Sequence, residues 1–343
     1  MATMKAVQMH AFGDVDVLHY EEIERPLPQA GEVLVRVRAA GINPVDWGAR
    51  SYPMPSTTGA AGAHLPYILG WDLAGDVVAL GAGVTHFALG DAVYGMPRFP
   101  GEAKAYSEYT AAPVSDLARK PEHLTHQQTA AVPMSALTAW QALFDTAGLQ
   151  EGQTVFIPGG AGGVGHLAIQ LAKWKGAQVI TTTSTRNVAF VRELGADVVI
   201  DYTRASVADV VKEVDVVLDM MGEDVLRQAF EGVKHGGRVV SLLRSHRELG
   251  EQLAAQAGAH FAFILVHPAG EQLAEIARLF DAGQLKVHIE AVFPLQDVAQ
   301  AHKLSEGRHV RSSVSPIPRR YATYGTTLMS HLHWTIPMLE KIW

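Results

Sequence analysis

Two rhythms of apolar and polar positions divide this chain. From about residue 126 to 267, short apolar runs alternate with amphipathic stretches. The runs predict strands at 154–158, 178–183, 197–201, 214–219, 237–243 and 260–266, and the stretches predict helices at 164–175, 187–194, 204–212 and 223–234. Strands alternating with helices predict a parallel, doubly wound sheet covered on both faces. Gly176 and Gly195 fall where helix ends favour left-handed backbone. Before residue 125 the pattern is different. Val33-Leu34-Val35-Arg36-Val37-Arg38-Ala39 alternates with period two, and turns at Pro26, Pro28, Gly31, Gly41, Pro44, Gly70, Gly75, Gly81, Gly83 and Gly90 cut the region into short strands. That reads as an irregular barrel or sandwich.

After Pro268 an amphipathic helix is expected over 271–281, a strand over 287–289 and a helix over 295–305. The six-strand set is complete by then, so this part is assigned back to the first domain. The expected organisation is a discontinuous β-rich domain (1–125 and 268–315), an inserted dinucleotide-binding domain (126–267) and an extension (316–343). The extension shows no period and reads as a poorly packed tail; the alternative is docking through Trp334, Met338, Leu339 and Trp343.

The strand–turn–helix at 154–175 contains the most specific chemistry. Gly160, Gly162 and Gly165 fit G-x-G-x-x-G between an apolar strand and a helix. The first glycine allows the tight turn, the second lets backbone approach a pyrophosphate, and the third lets helix pack on strand. Gly160, Ala161, Gly162, Gly163, Val164 and Gly165 are therefore the expected pyrophosphate site, at the positive end of a helix dipole. NAD-selective sites carry an acid after the second strand. Here that strand runs into Ser184-Thr185-Arg186-Asn187 instead. Ser184 and Arg186 suit a 2′-phosphate, so NADP(H) is expected, the bland reading of Arg186 being a solvated helix residue. Tyr202, after the third strand, is a candidate cover for the adenosine end, with packing as the competing reading. Leu243 and Val266 follow the fifth and sixth strands and should line the nicotinamide pocket, because ligands sit beyond the carboxyl ends of an open parallel sheet.

Composition narrows the function classes. The 343-residue chain has net charge −7, which gives no electrostatic grip on nucleic acid or anionic membrane. It has no cysteine, which removes disulfides, thiolate catalysis and cysteine-bound zinc. No apolar run approaches membrane-spanning length and the start of the chain has no signal-like core, so the cytoplasm is the expected location. Each of the 16 histidines, taken alone, reads as a surface or packing residue. An apolar edge at Phe261–Val266 suits a homodimer.

Several segments in this order resemble the zinc-free medium-chain dehydrogenases/reductases of the quinone oxidoreductase (zeta-crystallin-like) group: Gly41-Ile42-Asn43-Pro44-Val45-Asp46, Leu69-Gly70-Trp71-Asp72-Leu73-Ala74-Gly75, Gly90-Asp91-Ala92-Val93-Tyr94-Gly95, Ser135-Ala136-Leu137-Thr138-Ala139 and the glycine turn. The resemblance covers about residues 4–311. It implies a GroES-like distorted barrel with an inserted Rossmann domain, and NADPH-dependent reduction of a small electrophile, a quinone or an activated alkene. It also implies that Asn43 faces the nicotinamide, that Thr138 bonds near the nicotinamide ribose or phosphate, and that Tyr52 is the candidate proton donor. Where zinc-dependent relatives place a first cysteine and a His-Glu pair, this chain has Asn43 and Trp71-Asp72, so no metal ligand set is expected. Asp46 reads as structural, and Trp47 and Trp71 as walls of an apolar pocket. An enoyl-thioester reductase and a non-catalytic NADPH-binding sensor or scaffold are the alternatives. The family's usual last strand is replaced by Ser312-Ser313-Val314-Ser315-Pro316, so that strand is expected to be altered or lost.

Overall fold

The structure is a computed structural model that describes residues 2–52 and 65–307, with the backbone of Ser313–Pro316. Residues 53–64 and the tail from 317 onward lie outside the described residues.

The barrel is built on one long strand. β1 (Thr3–Met9) and β2 (Leu18–Glu24) form an antiparallel ribbon, and β3 (Glu32–Ile42) follows. Val33, Val35, Val37 and Ala39 of β3 are buried, as the period-two pattern requires. Register shifts between Leu34 and Val35 and between Val37 and Ala39 bend β3. It pairs with β4 (Leu73–Leu80) and β6 (Tyr109–Pro113), while β4 continues to β5 (Ala92–Gly95) and then β7 (Leu117–Arg119). Between β3 and β4 lies α1 (Pro44–Ser51), and α2 (His126–Ala130) and α3 (Pro133–Trp140) lead into the second domain.

That domain is a six-stranded parallel sheet. In chain order its elements are β8 (Thr154–Ile157), α4 (Gly163–Trp174), β9 (Gln178–Thr183), α5 (Val188–Glu193), β10 (Val198–Asp201), α6 (Val207–Val210), β11 (Val214–Asp219), α7 (Glu223–Gly232), β12 (Val233–Ser241), α8 (Arg247–Ala257) and β13 (His260–Phe263). The spatial order is β10-β9-β8-β11-β12-β13, so the order in which strands are added reverses between β8 and β11 while all six stay parallel. Val155, Phe156 and Ile157 are wholly buried, since helices cover both faces and no polar alternation is needed. Gly176 and Gly195 take the expected positive φ, +83° and +102°.

The chain then returns to the barrel through α9 (Gly270–Asp281), β14 (Ala291–Val292) and α10 (Val298–Glu306). The return is anchored by Tyr94 of β5, fully buried, whose hydroxyl donates to Leu273 O of α9 at 2.6 Å.

Four expectations change. The last barrel strand is present: β15 (Ser313–Pro316) lies antiparallel to β3, Ser313 opposite Ile42, and parallel to β14. Ladder pairing uses backbone groups, so the unusual side chains do not prevent it. The strand expected at 287–289 is displaced to β14, because the preceding segment leans on α4, where Gln170 exchanges hydrogen bonds with the Lys286 backbone. The helix expected at 204–212 shrinks to α6, in a stretch of β-branched valines that are stiff in a helix. The strand expected at 260–266 ends at Phe263, one residue after Ala262 pairs with Val240.

Tyr94→Phe should destabilise the protein by about 1 kcal/mol, measured by urea unfolding, because it removes a buried bond between barrel and returning helix while the helix still satisfies the Leu273 carbonyl.

Candidate active site

β8 delivers the chain into Pro158–Gly162 and α4 leaves it. Gly159 has φ +73°, and a Cβ on Gly160 would stand 2.1 Å from Thr181 Oγ1, on the neighbouring strand. A Cβ on Gly165 would stand 2.4 Å from Gly159 O. Helix and strand therefore meet backbone to backbone. Gly162 is the N-cap of α4 and no side chain caps the helix. The N–H groups of Gly163, Val164 and Gly165 precede the first intrahelical acceptor and point to the space beyond the turn. This cradle fits a diphosphate, as the spacing predicts.

On the β9–β10 side stand the residues expected at the adenosine end. Ser184 caps a short 3-10 turn, Thr185–Asn187, and Arg186 is exposed. Tyr202 is 58% exposed beside them, its N–H donating to Thr183 O. Asp201 is the acid nearest this group, but it is already bound: Oδ2 accepts from Thr185 Oγ1 at 2.6 Å, and Oδ1 from Thr203 Oγ1 at 2.7 Å and Thr203 N at 3.0 Å. These bonds hold its pKa below the usual carboxylate range. On the other side of the reversal, Leu243 follows β12 and Val266 follows β13, the latter 8% exposed.

Between the domains lies a buried polar cluster that no local pattern announced. Asn43 caps α1. Its N–H donates to Asp46 Oδ2 at 2.6 Å and its Nδ2 to Asp72 Oδ2 at 3.0 Å. Asp72 Oδ1 accepts from Met134 N, at the start of α3, where Thr138 also sits buried. Asp46 is thus a cap for α1, in keeping with the structural reading. Behind it the Tyr106 hydroxyl meets His302 Nε2 at 3.2 Å, and Arg50 reaches both His302 and Glu306. Burial pushes Asp46 up to about 7, opposed by hydrogen bonds from Asn43, Tyr106 and Gly70. Burial pushes Asp72 up to about 8 against the Asn43 bond, with Asp46 adding to the rise. Burial and then the Arg50 charge push His302 down to about 3. Tyr52 ends α1, 42% exposed. Nine residues of helical rise separate it from Asn43, about 13 Å.

The zinc ligand positions of the wider family do not fit a metal here. The Asn43 amide donates to Asp72, and both Asp72 oxygens accept hydrogen bonds. Trp71, 1% exposed, packs edge-on to Phe99 and spends its indole N–H on Gly101 O. An indole nitrogen has no lone pair to give. Trp71 therefore fills core volume and does not wall an open pocket. Among the described residues no group of three His, Asp or Glu side chains is placed to hold a metal ion.

Comparison with known proteins gives the same architecture. Residues 29–122 match the family described as "Alcohol dehydrogenase GroES-like domain", and residues 194–313 match "Zinc-binding dehydrogenase". The chain is 31% identical to the mitochondrial NAD(P)H oxidoreductase RTN4IP1 of Danio rerio, over 90% of this chain and 89% of the relative. It is 34% identical to the chloroplastic NADPH-dependent alkenal/one oxidoreductase of Arabidopsis thaliana, over 92% and 80%. The quinone oxidoreductase structure from Coxiella burnetii superposes with TM-score 0.84 at 35% identity, covering 92% of this chain and all of that one. The chain belongs to the quinone oxidoreductase group of medium-chain dehydrogenases/reductases. It is an NADP-dependent oxidoreductase, and its glycine turn has the form that cofactor requires. The two curated relatives carry organellar names, so the family does not point to the cytoplasm. Among the described residues no helix is long and apolar enough to cross a membrane.

Asp46 and Asp72 keep their protons in the folded chain at pH values where the unfolded chain, near 3.8, has lost them. Their stabilisation is complete below that value and is lost as pH rises through about 7 to 8. His302 acts oppositely: its contribution is present above its unfolded value of 6.5 and is lost as pH falls toward 3. Asp72→Asn should therefore flatten the fall in thermal midpoint between about pH 4 and pH 8, read by calorimetry; an unchanged slope would contradict the burial argument.

Proposed function

We propose that this protein reduces quinones, or the β-carbon of α,β-unsaturated carbonyl compounds, with NADPH and without a metal. The observation that carries this is the Asn43–Asp72 hydrogen bond, formed at the positions where zinc-dependent relatives carry a first cysteine ligand and a nearby glutamate. Alcohol oxidation calls for a Lewis acid to hold the alkoxide. An electrophile that is already polarised needs only orientation and, later, a proton. The bound cofactor supplies hydride from its nicotinamide ring.

The remaining work belongs to the chain. Gly160, Ala161, Gly162, Gly163, Val164 and Gly165 bind the pyrophosphate, and Ser184 and Arg186 bind the 2′-phosphate. Tyr202 covers the adenosine end. Asp201 is engaged by three threonine hydrogen bonds in place of a ribose diol, which supports NADPH over NADH. Asn43, Thr138, Leu243 and Val266 frame the nicotinamide. An enone that has accepted hydride becomes an enolate, and Tyr52 donates the proton that completes the reaction. Two copies pair through β13, the edge of the six-stranded sheet, and the segment just after it, where Leu265 is 41% exposed. The cytoplasm is the proposed location.

Purified protein should oxidise NADPH, followed by its nicotinamide absorbance, with a panel of 1,4-quinones and α,β-unsaturated ketones. Binding without turnover across the panel would favour a sensor or scaffold. Arg186→Ala should raise KM for NADPH by about tenfold or more and leave NADH kinetics unchanged, because it removes one charge-assisted bond to the 2′-phosphate. Tyr52→Phe should lower kcat on enones by about tenfold or more with little change in KM.

A further inference from the structure

A second buried polar cluster lies apart from the glycine turn and the Asn43 group. Asp219 ends β11, Ser241 ends the adjacent β12, and His246 closes the five-residue loop Leu242–His246 before α8. Their exposures are 1%, 0% and 3%. One carboxylate oxygen gathers them: Asp219 Oδ2 accepts from Ser241 Oγ at 2.5 Å and from His246 Nδ1 at 2.7 Å. Ser241 Oγ in turn accepts from Leu243 N at 3.1 Å, and Asp219 O accepts from Leu242 N at 2.9 Å. This is not a hydrolase triad, since the serine gives its proton to the carboxylate and not to the imidazole, and none of the three is open to a substrate. It is a clasp. It joins the loops that leave two neighbouring strands at their carboxyl ends.

Those loops lie where the cofactor must pass. Strand order reverses between β8 and β11, so a dinucleotide crosses there, with its adenosine half toward β9 and its nicotinamide half toward β11 and β12. The Asp219 turn also touches the glycine turn directly: Met221 Sδ would stand 3.1 Å from a Cβ placed on Gly159. A shift of Asp219 would therefore be felt at Leu243 and along the β11 side of the crevice.

We propose that His246 is a positioning residue for the nicotinamide half of the cofactor, acting through Asp219 to fix the Leu242–His246 loop against the turn that follows β11. The inference rests on the dinucleotide reading of the glycine turn. The adenosine half is held by other loops, so the clasp should affect one half of the cofactor and not the other.

The test compares two ligands on the full chain, NADPH and 2′,5′-ADP, which has the adenosine half alone. Dissociation constants come from calorimetric titration. His246→Leu should weaken NADPH by about tenfold or more, as expected for a lost bond to a charged group, and leave 2′,5′-ADP within about twofold. His246→Asn, whose amide can still donate to Asp219, should recover most of the NADPH affinity. If His246→Leu does not fold, Ser241→Ala removes the other donor to the same oxygen and should show the same split between ligands. Unchanged NADPH binding, or equal loss of both ligands, would overturn the proposal. Failure of the unmodified protein to bind either ligand would instead overturn the dinucleotide reading beneath it.

Discussion

Backbone must lie on backbone where β8 turns into α4, and much of the molecule is arranged around that contact. Gly160 leaves no room for a Cβ beneath Thr181, and Gly165 leaves none against the Gly159 carbonyl. The close approach brings the helix end to the edge of the sheet with its first N–H groups uncapped. A side chain at either position would lift α4 off the strands and take its dipole away from the cofactor. The reversal of strand order beside β8 then opens a crevice on both sides of the same turn. The loops after β9 and β10 lie on one side of that crevice, and those after β11 and β12 on the other.

The barrel contributes a different kind of order. Where metal-dependent members of the family place ligands, this chain has a hydrogen-bonded amide and carboxyl, with a second carboxyl behind them. Burial makes ionisation costly for both carboxyls and raises both, and the neighbouring Asp46 adds to the rise of Asp72. The cluster joins three separate stretches, the start of α1, the strand entry at Asp72 and the start of α3, and through Tyr106 and His302 it extends to α10. It fixes the relation of barrel to inserted domain at the site itself. Polar groups suit that task because their bonds have direction, whereas apolar packing alone would permit sliding.

The parts that were legible in the sequence are those set by near neighbours. The period-two stretch of β3, the alternation of 154–241, the glycine spacing and the helix ends at Gly176 and Gly195 all express backbone geometry over a few residues. The parts that were not legible join distant positions. Asp219 and His246 look like an ordinary strand end and a lone histidine until β11 and β12 lie side by side. Trp71 reads as a pocket wall from its place in a motif, but the barrel closes over it. The Ser313–Pro316 segment lacks the side chains expected of the last strand, and β3 pairs with it regardless.

The sequence by itself determined the glycine turn between strand and helix, the order of elements, the absence of an acid in the Ser184–Asn187 turn and the lack of thiolate ligands. Each depends on residue type and short spacing, and these survive without a fold. Tertiary structure decided which carboxyls would be buried, which histidines would join the site, and where the chain would close its barrel. Those outcomes depend on which surfaces meet, and the free energy of a buried hydrogen bond exists only after both partners have been withdrawn from water.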